Sequence, residues 1–209
     1  MTKKDLILIG AGGHASSCID VIEQDNNYKI IGLIGRKDEA DSQILNYPII
    51  GTDEDLFSFK KYQNAFIALG QIDSPLKRIE MFNLIKDLGY ITPSIISNRA
   101  SVSKNATVGD GSIIMHGSII NARAEIGENC IINSLSLVEH DVKVSDHSHI
   151  STGVIINGGV EIGSGSFIGS GTVIKEGTKI GKSCVIGMGL SIRHDIPNNS
   201  TYVGPNKNE

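Results

Sequence analysis

The chain has 209 residues, with 19 Lys and Arg against 23 Asp and Glu and a net charge of -4 at pH 7. That balance argues against a nucleic-acid partner, which calls for a basic face, and no run of about 20 apolar residues marks a membrane span. Trp is absent, glycine numbers 24, and the three cysteines are an odd count, so the chain reads as a cytoplasmic protein of one or two domains with free thiols.

The first ninety residues alternate strand and helix. Lys3 and Lys4 precede only the short strand 5–9, so no signal peptide is expected. The turn Gly10-Ala11-Gly12-Gly13-His14-Ala15 opens a helix that runs to about Gln24, with Cys18, Ile19 and Ile22 as its apolar stripe. A second strand is expected over 29–34, a helix over 53–61, a third strand over 65–69 and a longer helix over 74–88. This pattern predicts an α/β domain on a parallel sheet, similar to a truncated Rossmann unit. The turn matches G-x-G-x-x-A between a strand and a helix, so backbone amides and a helix N-terminus are expected to face an anion. The acidic residue that would hold a ribose hydroxyl at the end of the second strand is missing. Gly35 and Arg36 stand there, which favours a nucleotide diphosphate with another ribose contact over NAD. A turn that uses glycine only for tight packing is the plainer alternative.

From Ile96 to Ile192 every sixth residue is Ile or Val. Strands repeat every two residues and helices about every 3.6, so neither alone selects a period of six. The hexapeptide parallel β-helix does, with three hexads per triangular coil and residues eighteen apart stacked in columns. Small residues such as Ser112, Ser118 and Ser136 precede the aliphatic by two. Gly or Asn often follows it by one, as at Gly109, Asn121, Gly163 and Gly169, where they are expected to supply the unusual backbone angles of a corner. No insertion breaks the hexads, so no long loop leaves the prism, and flat faces favour self-association. Cys130 and Cys184 share a column three coils apart, about 14 Å at one strand spacing per coil, too far for a disulfide. The expected domains are 1–92, Rossmann-like, and 93–209, all-β.

Three features then converge. They are the Gly10-Ala11-Gly12-Gly13-His14 turn, the uninterrupted hexads behind it, and the segment Asn133-Ser-Leu-Ser-Leu-Val-Glu-His140-Asp141 followed by His147-Ser-His149. Together they resemble the NeuD/PglD-like sugar acyltransferases, UDP-N-acetylbacillosamine N-acetyltransferases above all, with sialic-acid O-acetyltransferases as relatives. The resemblance implies a left-handed β-helix and a homotrimer. It implies a nucleotide sugar on the first domain and acetyl-CoA along the β-helix between two subunits. It implies transfer of acetyl to the 4-amino nitrogen of UDP-4-amino-4,6-dideoxy-N-acetylglucosamine, giving UDP-N,N'-diacetylbacillosamine. By this resemblance His140 is the catalytic base, Asp141 takes a usual Glu position, and Asn133 contacts substrate. Gly12, Gly13 and His14 form the nucleotide turn, and His149 lies near the thioester, with Gly158 on the acetyl-CoA path. Gly204-Pro205-Asn206-Lys207 is a shortened form of the usual G-x-P-A-K.

The chemistry agrees with these residue types. An amine attacks a thioester as the free base, and an imidazole is suited to take its proton. A carboxylate holds the tautomer and stabilises the imidazolium. Glu139 and Asp141 flank His140, and one of the two is expected to serve. The oxyanion needs a donor, a backbone N–H or His149. Nine residues separate His140 from His149, half a coil, which favours a site between subunits. Lys175, Lys179, Lys182 and Arg193 suit CoA phosphates or a solvated rim. No metal is expected. The competing readings are sugar O-acetylation, a zinc lyase built on His140, His147 and His149, and a non-catalytic scaffold.

Overall fold

The structure, a computed structural model, describes residues 2–40 and 42–204. Pro205–Lys207 of the shortened C-terminal motif lie outside the described residues. The chain forms two compact units. Residues up to Gly70, with Leu76–Asn98, make the first; Gln71–Pro75, with the residues from Arg99 onward, make the second.

In the first unit, β1 (Lys4–Ile9) leads into α1 (Gly13–Asp25), then β2 (Tyr28–Ile34), β3 (Gln43–Ile44), β4 (Tyr47–Gly51), β5 (Asn64–Ile67) and α2 (Leu76–Asp87). The sheet order is β3-β4-β2-β1-β5, parallel throughout except for the antiparallel edge pair β3–β4. Leu6, Ile7, Leu8 and Ile9 of the central strand are at most 1% exposed, as expected where a parallel strand is covered on both faces. The hairpin β3–β4 was not anticipated. Its strands are short, and Pro48 sits inside β4 and lacks a donor for the ladder. The helix expected over 53–61 is a 3₁₀-helix, Asp53–Tyr62.

The second unit is a left-handed parallel β-helix whose strands are two residues long. Each pairs in parallel with the strand eighteen residues on, for example Ile119 with Leu137 and Leu137 with Ile155. Inward aliphatics from Ile114 to Ile192 are essentially buried. The small residues two positions earlier satisfy the backbone. Ser112, Ser118, Ser136, Ser148, Ser166 and Thr172 each donate to a carbonyl fifteen residues on, at 2.7 to 3.1 Å. A buried carbonyl left without such a donor costs about 1–3 kcal/mol.

The corner glycines differ from expectation. Left-handed backbone falls three residues after the aliphatic, at Gly153, Gly159, Gly165 and Gly171, and not one residue after. The glycine that directly follows the aliphatic is there for contact between coils. A Cβ on Gly163 would stand 2.5 Å from the Gly181 backbone, and one on Gly169 2.5 Å from that of Gly187.

The outward residue of each strand gives the three faces different characters. One shows Glu125, Lys143, Glu161 and Lys179, paired along the column. A second shows Ile119, Leu137, Ile155 and Val173. The third carries Ile113, Ile131, His149, Phe167 and Val185.

Two glycines separate the two causes. Gly163→Ala forces backbone apart and is expected to cost about 2–3 kcal/mol. Gly177→Ala, at φ +69° with no atom within 4 Å of a new Cβ, meets only left-handed strain, about 1 kcal/mol. Urea unfolding of both variants measures the order; the reverse order would contradict this account.

Candidate active site

The glycine-rich turn of the first unit is built from two kinds of glycine. Gly10 has φ +112°, and a Cβ there would meet the Leu69 side chain at 2.6 Å, so the fold requires it. A Cβ on Gly12 or Gly13 would meet nothing within 4 Å. No protein atom demands glycine at those two positions, and their bare backbone faces open space at the N-terminus of α1. His14 is half-buried on the first turn, beside Gly70. The turn borders a cleft of about 440 Å³ whose walls include Ile34, Gly35, Glu39 and Met81, a volume within the range of small-ligand sites.

In the β-helix, the strand Leu137–Val138 ends before His140, so residues 139–141 form a corner and not a strand. The alternation of a strand therefore does not decide between Glu139 and Asp141. Asp141 has left-handed backbone, φ 62°, and its carboxylate turns back to accept a hydrogen bond from His140 Nδ1 at 2.7 Å. Glu139 instead accepts from Asn121 Nδ2 at 3.0 Å and from the His140 backbone N–H. Since a carboxylate only accepts, Nδ1 carries a proton, and in the neutral ring the lone pair is on Nε2. The imidazole lies over Gly158, where a Cβ would stand 2.7 Å from its ring.

One coil earlier, Arg123 grips Asp141 with Nε at 2.6 Å and Nη2 at 2.9 Å. These bonds, and that from His140, hold the Asp141 carboxyl well below the usual carboxylate range; the Arg123 bond is the largest cause. Arg123 is itself at φ 61°. A non-glycine residue there costs about 1–2 kcal/mol, which the bidentate pair offsets in part. Sequence reading missed Arg123, although its place eighteen residues before Asp141 is the signal that finds it. Lys175 is exposed two coils along the Glu139 column.

His149 stands in the outward column of the third face, yet it is only 6% exposed. Its Nδ1 donates to the Gln71 carbonyl at 2.5 Å, its ring meets Phe167 edge-on, and Nε2 accepts from Asn133 Nδ2 at 3.4 Å. Gln71 is anchored in turn by its Nε2, which donates to the His147 carbonyl at 2.9 Å. In the neutral ring this pattern puts the proton on Nδ1 and leaves Nε2 an acceptor. Nothing in the sequence marked Gln71, which precedes the first coil by nearly thirty residues. Asn133 binds its own Ser134 N–H through Oδ1. His147 takes a hydrogen bond with Asn129 at 3.1 Å. Among the described residues no three His, Cys, Asp or Glu side chains converge to hold a metal ion.

The comparisons agree with this architecture. A PglD N-terminal domain model matches residues 5–83, a bacterial transferase hexapeptide model matches 105–140, and a hexapeptide repeat of succinyl-transferase matches 159–193. No curated relative matches the chain. The acetyltransferase domain of PglB from Neisseria gonorrhoeae FA1090, solved with acetyl coenzyme A, is 28% identical over 97% of each chain, with a TM-score of 0.89. A mutant of perosamine N-acetyltransferase from Caulobacter crescentus, solved with CoA and GDP-perosamine, is 26% identical over 96% of this chain and 93% of its own, with a TM-score of 0.90. WeeI from Acinetobacter baumannii AYE, at 16% identity over 96% of this chain and 97% of its own with a TM-score of 0.56, shares the fold. A PglD-type N-terminal domain followed by a hexapeptide β-helix places the chain with acetyl-CoA-dependent acyltransferases of the hexapeptide class. Over nearly its whole length the chain is similar to NeuD/PglD-like sugar acetyltransferases.

The Arg123–Asp141 pair makes a signed prediction. The guanidinium is the largest cause that holds the Asp141 carboxyl below the usual carboxylate range. Arg123→Ala is therefore expected to raise the Asp141 titration toward that range, read from its carboxyl carbon by NMR. An unchanged or lowered titration would contradict this reading.

Proposed function

We propose that the chain transfers acetyl from acetyl-CoA to the 4-amino nitrogen of a UDP-4-amino-4,6-dideoxy-N-acetyl sugar, giving UDP-N,N'-diacetylbacillosamine for bacterial surface glycan or glycoprotein synthesis. The observation that carries the reading is His140, held by Asp141 so that Nε2 is unprotonated, at a corner of a hexapeptide β-helix. The likeness to the PglB acetyltransferase domain and to an enzyme solved with GDP-perosamine supports an amino sugar carried on a nucleotide.

The reaction needs no covalent enzyme intermediate. The sugar amine attacks the thioester carbonyl carbon, and its proton passes to His140 Nε2 while Asp141 stabilises the imidazolium. The tetrahedral intermediate collapses, the C–S bond breaks, and the CoA thiolate takes the proton back from the imidazolium. Gly12, Gly13 and His14 cradle the nucleotide, Asn133 contacts the sugar, and His149, Gly158 and Lys175 lie along acetyl-CoA.

Release of free thiol from acetyl-CoA tests this with UDP-4-amino-4,6-dideoxy-GlcNAc, its C4 epimer, GDP-perosamine and free sialic acid as acceptors. The first is expected to turn over fastest, with His140→Ala lowering kcat by about 10²–10⁴-fold. Turnover of sialic acid alone would move the protein to the O-acetylating branch, and unchanged turnover in His140→Ala would remove the base.

Self-association as a trimer belongs to the same reading. Supporting it is the aliphatic column Ile119, Leu137, Ile155 and Val173, exposed except for the half-buried Leu137, a surface that a second copy buries well. His140 follows one face and His149 lies on another, so a site using both forms between subunits. Ile155→Glu is expected to give monomers by analytical ultracentrifugation and to abolish turnover with the trimer. An active monomer would overturn the shared site.

A further inference from the structure

The acidic residue absent from the end of β2 in sequence is present there in space. After Ile34 the chain enters a short 3₁₀ turn, Lys37–Glu39. This turn carries Glu39 back onto the strand end, where Oε2 accepts the Arg36 backbone N–H at 2.8 Å. Gly35 makes this approach possible. A Cβ at that position would stand 2.9 Å from Glu39 Oε2 and 3.1 Å from Ile49. The glycine that seemed to replace the acid is what admits it.

Glu39 also lines the 440 Å³ cleft, on whose border Gly10 and Gly12 lie. The strand end and the glycine turn are joined directly, since the Gly10 N–H donates to the Ile34 carbonyl at 2.8 Å. A ligand whose phosphates meet the bare backbone of Gly12 and Gly13 therefore places its ribose next to the end of β2. An ionised carboxylate has about four acceptor positions. Glu39 gives one to the Arg36 N–H and one to the Arg36 guanidinium at 3.3 Å. Positions remain, and the side chain is 26% exposed, enough to be reached from the cleft. In doubly wound nucleotide sites an acidic side chain at this strand end accepts from a ribose hydroxyl.

We infer that Glu39 is the ribose-binding residue of this cleft, accepting from the 2′- and 3′-hydroxyls of a nucleoside diphosphate. The inference rests on the nucleotide-sugar reading above and adds the group that discriminates ribose. Asp38 is turned to the Arg36 guanidinium at 3.1 and 3.2 Å, and Glu54 pairs with Lys37.

Calorimetric titration of the full chain with UDP and GDP, and with their 2′-deoxy and 3′-deoxy counterparts, tests it. Wild type is expected to bind the ribonucleotide about tenfold tighter than either deoxy form. Glu39→Gln keeps an acceptor for the Arg36 N–H and so preserves the turn. It is expected to narrow that ratio to about twofold while leaving the deoxynucleotide affinity unchanged; Glu39→Ala is expected to do the same. An unchanged ratio in both variants would overturn the inference. So would equal weakening of ribo- and deoxynucleotides, which would mean that Glu39 only shapes the turn. Wild type that binds no nucleotide at all would instead sink the nucleotide-sugar reading itself.

Discussion

The parallel backbone ladder between successive coils is the constraint on which the second unit depends. Each two-residue strand bonds to the one eighteen residues on, and the interior closes only if every sixth residue is aliphatic. Once that register is set, side chains at the corners have no freedom over whom they meet. Arg123 meets Asp141, Asn129 meets His147, and His140 meets Gly158, each eighteen residues apart. His140, the Asp141 carboxylate and the Arg123 guanidinium behind it are thus assembled by the same bonds that stack the prism. A rigid scaffold holds such a constellation more tightly than a mobile loop does.

The corners also show where the chain accepts strain. Three residues past the aliphatic the backbone is left-handed, and most later coils place glycine there, from Gly153 to Gly177. Between Arg123 and His147 the same position holds Arg123, Asn129, Leu135, Asp141 and His147, all at φ between 53° and 62°. Each costs more than glycine would. The run coincides with the coils that carry His140, and the left-handed turn at Asp141 is what swings its carboxylate back onto its neighbour's Nδ1. Backbone strain and the His140–Asp141 geometry have one origin here.

Glycine serves four separate ends in this protein. At Gly153 to Gly177 it permits a left-handed corner, and at Gly163 and Gly169 it lets coils approach. At Gly12 and Gly13 no protein atom requires it, and the bare backbone is left open to a ligand. At Gly35 it makes room for Glu39. Composition alone gives a count of 24 and no means of separating these uses.

The hexad period was enough to predict the β-helix, its buried columns and the absence of long loops, because a repeat that survives seventeen positions leaves one packing solution. The strand-turn-helix around the glycine-rich turn was legible too, since it has a short-range signature. The β3–β4 hairpin was hidden by its brevity and by Pro48. What the sequence could not determine is which groups from distant segments meet. Glu139 and Asp141 were equivalent on paper; a corner dihedral chose Asp141. Gln71 lies far from His149 in the chain, yet its carbonyl sets the tautomer of that ring. Periodicity is local and additive along the chain, so sequence carries it. Hydrogen-bond partners depend on register and on backbone direction at single residues, and only the folded chain decides those.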